Sequence, residues 1–248
     1  FRPAFSAKGA TASFDLETDP DKLLWLQFSG RWGTGDLAAD QYLHGVLGAH
    51  LYRTDTFIFG AMLQGDHSKM TDGIGSVSAT GWLVGPYIVA RPQGGKLIFS
   101  ASYLAGRTDL SISPLGTYVD NVTSDRQLMT LSVANEIQMG NTLLLPRLDI
   151  ARVVEDRPAY IDGLGAPVPA GSLTLTEASA GLDFETSLVV SDGTSRLTGG
   201  LSAIYSLTDQ DGASDNRTRG RVSLGWLRQD DDGLTVNFDA SYDGIGAS

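Results

Sequence analysis

Hydrophobic and polar residues alternate along most of this chain. Between residues 234 and 243 the even-numbered positions are apolar and the odd-numbered ones are polar. The same alternation recurs at 144–150, 197–205 and 217–226, and weaker examples start near Leu24, Leu43, Phe57, Trp82, Leu97, Met129 and Ala178. A period of two is typical of β-strands, whose successive side chains point to opposite faces. The pattern predicts about eleven strands and no long helix.

The predicted strands are long. Each alternates over about ten residues or more, whereas strands of soluble proteins usually have about five or six. A strand that crosses a bilayer at a tilt needs about 9–11 residues. We therefore predict an all-β fold, an antiparallel up-and-down transmembrane β-barrel.

The connections between the strands also alternate. Tight-turn signals at 53–55, 92–95, 140–141, 191–193 and 230–233 are separated by longer polar stretches at 34–40, 68–76, 109–124, 156–171 and 208–216. Outer-membrane barrels have short periplasmic turns and longer extracellular loops, so the two sets are assigned to those sides. Pro86 and Pro146 lack a ladder donor within strands that are not edges, which predicts a bulge or a local break at each.

A soluble barrel or sandwich is the alternative fold. The chain has 248 residues, 42% of them hydrophobic, and a mean hydropathy of −0.05. Its predicted polar faces carry Arg, Asp, Glu, Ser and Thr rather than the Lys and Glu of an ordinary soluble surface, which favours a wet lumen. The net charge of −11 argues against a nucleic-acid partner, and the absence of cysteine excludes disulfides and thiolate metal sites.

Five short motifs carry a family resemblance. They are the segment 81–87 (GWLVGPY), the segment 241–246 (SYDGIG), Leu145-Pro146-Arg147-Leu148, Asp125-Arg126 and Leu24-Trp25-Leu26. Because of these motifs and their order and spacing along the chain, the sequence resembles the autotransporter β-domain, the translocator of type V secretion, over about residues 23–246. The resemblance implies a twelve-stranded barrel, integral to the bacterial outer membrane and inserted by the barrel-assembly machinery. It also implies a polypeptide passenger in cis, whose linker threads the lumen.

The chain departs from the family pattern near its end. The family continues with one more strand and an aromatic last residue, whereas this sequence stops at Ser248. Eleven strands would leave an open edge that lipid does not tolerate. Residues 5–16 alternate weakly and resemble the missing strand, so we expect about twelve strands. Residues 1–22 then form a closing strand or a luminal linker, and 23–248 form the translocator barrel.

No catalytic, metal or cofactor motif is found in the sequence. The segment 177–181 (EASAG) lacks the first glycine of a nucleophile elbow, and Gly95-Lys96 does not complete a phosphate-binding loop. His44 and His50 share a strand face but lie about 20 Å apart, too far to bind one metal. A membrane lipid hydrolase would need a Ser–His pair at the lipid boundary, and neither histidine is on the predicted lipid face. We expect no enzymatic activity and no cofactor.

The strand phases assign side chains to the two faces of the barrel. Gly81 and Gly85, opposite Trp82 and Val84, either leave room in the lumen or relieve curvature. The residues predicted to face the lumen are Arg31, His44, His50, Gly81, Gly85, Arg147, Asp149, Glu177, Asp183, Arg219, Arg221 and Asp239. The residues predicted to face lipid are Trp82, Val84, Leu148, Leu224, Trp226, Val236, Phe238 and Tyr242.

Two functions are favoured at this level, ahead of an outer-membrane lipid hydrolase and a soluble binding barrel. The first is a hydrated pore that exports or anchors an N-terminal passenger, with a mixed-charge lumen favouring an ion-paired, narrow conduit. The second is a stand-alone outer-membrane pore or channel. In both, the expected partners are outer-membrane lipid and lipopolysaccharide and the barrel-assembly machinery, and the barrel is expected to be a monomer.

Overall fold

The computed structural model describes residues 10–16, 24–34, 38–72, 74–92, 95–188, 194–229 and 235–245. Of the side chains named in the sequence analysis, those of Arg31, Val236 and Asp239 lie outside the described part. No helix long and apolar enough to span a membrane is found among these ranges.

Fifteen strands make up the described chain. They are β1 (Ala10–Leu16), β2 (Leu24–Thr34), β3 (Ala38–Arg53), β4 (Phe57–Asp72), β5 (Gly75–Ala90), β6 (Leu97–Ser113), β7 (Asp120–Asn135), β8 (Ile137–Met139), β9 (Thr142–Arg157), β10 (Tyr160–Ile161), β11 (Pro167–Val168), β12 (Gly171–Leu188), β13 (Thr194–Gln210), β14 (Ala213–Gln229) and β15 (Thr235–Ile245).

One antiparallel sheet of 13 strands contains all of these except β10 and β11, which pair with each other. Neighbours follow chain order from β1 to β15, and the three-residue β8 continues β7 along the edge of β9. The eleven strands predicted from alternation are all present, and β1 is the twelfth. The sequence-based prediction of an up-and-down antiparallel sheet of about twelve strands is confirmed.

The two ends of the sheet meet. β1 pairs with β2 over its whole length, from Ala10 opposite Trp32 to Leu16 opposite Leu26. On its other side β1 lies beside β15, with Cα atoms of the two strands within 8 Å. Between residues 10–16 and 235–245 the structure contains no regular ladder.

The long loops predicted at 68–76, 109–124 and 208–216 are shorter in the structure, because the flanking strands extend into them. β4 runs to Asp72 before β5 starts at Gly75, and only Asp211 and Gly212, at φ 52° and 85°, connect β13 to β14. Two consecutive positive φ values form a tight hairpin turn that matches strand twist. The alternation fades at these strand ends because both faces become polar, but the ladder continues. Only residues 158–170 form a long described connection, and they contain β10 and β11.

The predicted breaks at the two prolines are confirmed. Pairing between β5 and β6 skips Gly85 and Pro86, and the register on either side is unchanged (Val84 with Ala105, Tyr87 with Ser102). Pro146 pairs with β12 but not with the β7–β8 edge, where the ladder is interrupted between Ala134 and Ile137. Each proline therefore interrupts one ladder without shifting the strands.

The sheet has a buried face and an exposed face. In β7 the even residues from Asp120 to Thr130 are buried or half-buried, whereas the odd residues are exposed. We call the buried side the inner face and the exposed side the outer face. Most large apolar side chains of the outer face lie toward the end with the turns 54–56, 91–96 and 140–141, and charged residues such as Arg107 and Asp109 follow toward the other end.

Candidate functional site: the inner face of the sheet

An ion pair spans four strands of the inner face. Arg126 of β7 donates from Nη1 to Asp66 of β4, at 3.0 Å from Oδ1 and 2.9 Å from Oδ2. Their side chains are 11% and 4% exposed, so the charges are largely removed from solvent. Buried charges of this kind depend on their partners, because neither is well solvated alone.

Gly81 of β5 provides the space for this pair. A Cβ atom at Gly81 would lie 3.0 Å from Asp66 Oδ1 and 3.3 Å from Arg126 Nη1. Glycine is needed at position 85 for a different reason, because a Cβ there would collide with the backbone of Tyr103 on β6. Both glycines are on the inner face: Gly81 leaves room for side chains, and Gly85 permits close approach of two strands.

His44 lies beside the same group. Its ring stacks on Tyr42, with centroids 6.1 Å apart and planes 13° from parallel, and it hydrogen-bonds Gln64. On β7, Ser124 donates to Glu155 of β9 at 2.6 Å. Polar pairs of the inner face therefore lie side by side from β3 to β9.

A second polar group lies on β12, β13 and β14. Arg219 donates from Nη2 to Glu177 Oε1 at 2.6 Å and from Nη1 to Ser206 Oγ. Ser206 in turn donates to the same carboxylate oxygen at 2.8 Å. Arg221 has the same strand phase as Arg219 and is half-buried.

A third group joins β7, β9 and β12. Arg147 contacts Asp183 at 3.1 Å and Asp149 at 3.4 Å. Asp149 also accepts hydrogen bonds from Ser132 at 2.6 Å and Ser179 at 3.2 Å. Nearer the short turns, Arg196 pairs with Glu185 at 2.7 Å. Mixed-sign pairing thus recurs across the inner face.

Aromatic side chains cover glycines toward the short-turn end. Trp25 of β2 donates to the hydroxyl of Tyr87 of β5 at 3.0 Å, and their rings meet edge to face with centroids 6.1 Å apart. Trp25 lies over Gly48 and Tyr87 over Gly60, where a Cβ atom would overlap each ring. The His50 ring is 6.1 Å from that of Tyr87. These contacts tie β2 to β5 across two intervening strands.

Apolar residues are also present on the inner face, and the sequence analysis did not single them out. Leu83 and Leu104 are fully buried, Leu128 is nearly so, and Met62 and Val153 pack against them. A signal was available: Trp82-Leu83-Val84 is a run of three apolar residues, which places apolar side chains on both faces of β5. This sector of the inner face is apolar.

The described residues of the predicted lipid-facing set are exposed, whereas those of the predicted luminal set are buried or half-buried. Exposed fractions of Trp82, Val84, Leu148, Leu224, Trp226, Phe238 and Tyr242 run from 36% to 62%. Of the predicted luminal set, His44 and Gly81 are buried, and His50, Gly85, Arg147, Asp149, Glu177, Asp183, Arg219 and Arg221 are half-buried. No group of three or more potential metal ligands occurs within the described ranges.

A family model and several solved structures are similar to this chain. The autotransporter β-domain family model matches residues 24–243. The translocator domain of the autotransporter NalP from Neisseria meningitidis is similar with a TM-score of 0.67 at 16% identity, covering 96% of this chain and 84% of that one. The β-domain of the Bordetella autotransporter BrkA gives 0.62 at 15% identity, covering 95% and 99%. The transport unit of AIDA-I from Escherichia coli gives 0.60 at 10%, covering 99% and 93%.

No curated protein sequence matches the chain significantly. The structural likenesses establish the fold, and the family model establishes the relationship. The chain belongs to the autotransporter β-domain family and is an integral β-barrel of the bacterial outer membrane.

Proposed function

We propose that this barrel exports or anchors a polypeptide passenger joined to its N-terminal side, with the inner face lining a narrow hydrated conduit. The observation that carries the proposal is the pairing of inner-face arginines with carboxylates on strands one to three positions away in the sheet, at Arg126, Arg147, Arg196 and Arg219. Such pairs hold the charged groups against the wall. The proposal assigns no catalytic reaction to the chain.

Mixed-sign pairing suits the passage of a polypeptide. A pore lined by one sign of charge selects counter-ions and would retain segments of opposite charge. Where each positive group is balanced by a carboxylate within hydrogen-bond distance, the wall stays wet with little net field. Acidic and basic segments of a passenger then meet similar barriers.

The outer face fits contact with lipid. We assign Trp82, Val84, Leu148, Leu224, Trp226, Phe238 and Tyr242 to the acyl chains, with lipopolysaccharide above them, because these side chains are exposed and apolar. Val236 has the same strand phase as Phe238 and receives the same assignment from sequence. By phase, Arg31 and Asp239 join the residues of the conduit. Insertion by the barrel-assembly machinery and a monomeric state complete this proposal.

Residues 10–16 are proposed to close the barrel, within a closing segment at 1–22 that precedes the translocator barrel at 23–248. Support comes from the β1–β2 ladder and from the approach of β1 to β15. A luminal linker is the competing role. Because the chain has no cysteine, pairs of introduced cysteines can decide: one is placed in 10–16, the other in 235–245, and Ser13→Cys with Ser29→Cys is the adjacent-strand control. Cross-links to β15 support closure, whereas cross-links to β2 alone contradict it.

Display of a passenger tests the main proposal. A tagged passenger is fused before Phe1, and protease is added to intact cells that express the fusion. We expect the tag to be cleaved from outside while the barrel keeps faster gel migration unboiled than boiled. A folded, heat-modifiable barrel whose tag stays protected until the outer membrane is opened would instead identify a stand-alone pore.

A further inference from the structure

Residues 158–170, between β9 and β12, form a small folded unit that we call the outer hairpin. Its two short strands pair Tyr160 with Val168 and Ile161 with Pro167. Asp162 Oδ1 accepts hydrogen bonds from the backbone of Leu164 at 3.0 Å and of Ala166 at 2.7 Å, which fix the turn. The outer hairpin therefore has a defined shape of its own.

Asp120 holds the tip of the outer hairpin. This carboxylate starts β7, has the strand phase of the inner-face residues Ser124 and Thr130, and is 7% exposed. Its Oδ1 accepts a hydrogen bond of 2.8 Å from the backbone N–H of Gly163. The Tyr118 ring packs on the same residue, since Tyr118 Cδ2 is 2.7 Å from where a Cβ of Gly163 would be. The tip is thus attached to a side chain of inner-face phase.

Arg157 holds the base of the outer hairpin from the same side. It is the last residue of β9 and follows Glu155 in inner-face phase. Its guanidinium carbon is 5.5 Å from the centroid of the Tyr160 ring, and its Nη2 donates to the carbonyl of Pro169 at 3.3 Å. Two side chains of inner-face phase, on the adjacent strands β7 and β9, therefore hold this one connection.

We infer that the outer hairpin is a strap folded inward across the outer mouth of the barrel, and that the Asp120–Gly163 hydrogen bond is its latch. This inference rests on the proposed function, because it names the step that controls exit from the same conduit. Ile161 and Leu164 at the tip are 66% and 71% exposed, so the strap presents apolar side chains to whatever passes the mouth. The latch is one hydrogen bond from a neutral backbone N–H to a carboxylate, so a passing chain can displace it and it can re-form afterwards.

A disulfide lock tests the strap. The Cβ of Tyr118 is 3.3 Å from the Cβ position of Gly163, close to the Cβ–Cβ separation of about 3.5–4.5 Å found in disulfides. The full chain carrying Tyr118→Cys and Gly163→Cys is reconstituted in planar bilayers, and its conductance is measured before and after reduction. We expect the oxidised protein to stay in its low-conductance state, and reduction to give openings of about two-fold or more higher conductance.

Two single variants frame this measurement. Asp120→Ala removes the latch and should raise the conductance without any reductant. Asp109→Ala is the matched control, because Asp109 has outer-face phase and binds Thr123 Oγ1 at 2.7 Å; its conductance should equal that of the unmodified chain. Equal conductance in the oxidised, reduced and Asp120→Ala proteins would overturn the strap. Should Asp120→Ala fail to show heat-modifiable folding, the oxidised and reduced forms of one protein still decide.

Passenger display on the same variants keeps the two proposals separate. Lost display in every variant, with the conductance difference retained, rejects export and leaves a strap on a pore. Normal display with no conductance difference rejects the strap and leaves export standing.

Discussion

Arg126 and Asp66 form an ion pair across the inner face of the two intervening strands, with Arg126 Nη1 within 3.0 Å of both carboxylate oxygens. Such reach requires that no side chain project from β5 at Gly81, where a Cβ would lie 3.0 Å from Asp66 Oδ1 and 3.3 Å from Arg126 Nη1. The pair ties β4 to β7 independently of backbone ladders, so the wall is braced across its curvature as well as along its strands.

Replacing Gly81 by valine should displace this pair. The new Cβ would lie 3.0 Å from Asp66 Oδ1, and leaving two buried charges poorly matched costs about 3 kcal/mol of unfolding free energy. Urea unfolding of the barrel in lipid vesicles measures the loss. Gly65→Val is the control, because only the carbonyl of Gly81, at 4.0 Å, lies near a Cβ at that outer-face position. Equal effects of the two substitutions would contradict this role of Gly81.

Removing one partner of the buried pair should lower the free energy of unfolding more than removing one partner of an exposed pair. Asp66→Asn leaves Arg126 without its counter-charge at 11% exposure, for which about 3–5 kcal/mol is expected. Arg107 and Asp125, at 65% and 76% exposure, form the comparison, and Asp125→Asn should change stability by less than about 1 kcal/mol. A double-mutant cycle with Arg126→Gln checks that the two inner-face losses are not additive.

Gly48→Val should dislodge Trp25. A side chain at Gly48 would occupy the place of the indole, so the hydrogen bond from Trp25 to the Tyr87 hydroxyl would be lost along with the ring contact. We expect a shift of tryptophan emission and a loss of about 2–4 kcal/mol of stability. Trp25→Phe in the Gly48→Val background should recover little, since the clash involves the ring itself. Unchanged emission would contradict the predicted displacement.

Tyr118, in the connection between β6 and β7, should lose its phenol proton at a higher pH than an ordinary tyrosine. Loss of hydration raises the pKa of its phenol above the usual 10.0, and the Asp162 and Asp120 carboxylates and the neighbouring Tyr160 raise it further. A raised pKa of an acid favours the neutral form in the folded state. Its stabilising contribution is therefore full below pH 10 and is lost as the pH rises from there through the folded-state pKa.

Phenolate absorbance tests this titration. Subtracting the pH titration of Tyr118→Phe from that of the unmodified chain isolates one phenol among the 8 tyrosines. The difference should appear only above pH 10, and a difference complete by pH 10 would show that Tyr118 is not shielded.

The faces of the strands could be predicted from sequence, but the neighbours on each face could not. Period-two alternation assigned Glu177 and Arg219 to one face, because side-chain direction is fixed by strand geometry, whereas Asp66 and Arg126 were not among the residues predicted to face the lumen. Which of them meet depends on register and curvature, which the turns and the closure of the whole sheet decide together. The Arg126–Asp66 contact joins residues 60 apart in sequence, so no local pattern could reveal it.

The lengths of the strands could be predicted less well from sequence than the alternation of their faces. At 213–219 of β14 every residue except Ala213 is polar, so the alternation that marks a strand disappears while its pairing with β13 persists. Asp211-Gly212 was part of a predicted loop, although an Asp-Gly dipeptide is itself a signal for a two-residue hairpin. The inward fold of the outer hairpin depends on Asp120 and Arg157, whose partners are backbone groups and a ring that carry no sequence pattern.

The continued pairing of β6 and β7 beyond their last large apolar outer-face residues has a consequence for delivery. From Arg107 to Ser113 the hydrogen-bonded sheet continues for about 20 Å further along the strand. Under the proposed function, a polypeptide would be released well clear of the bilayer, beyond the sugars nearest the lipid, and would begin to fold in open water.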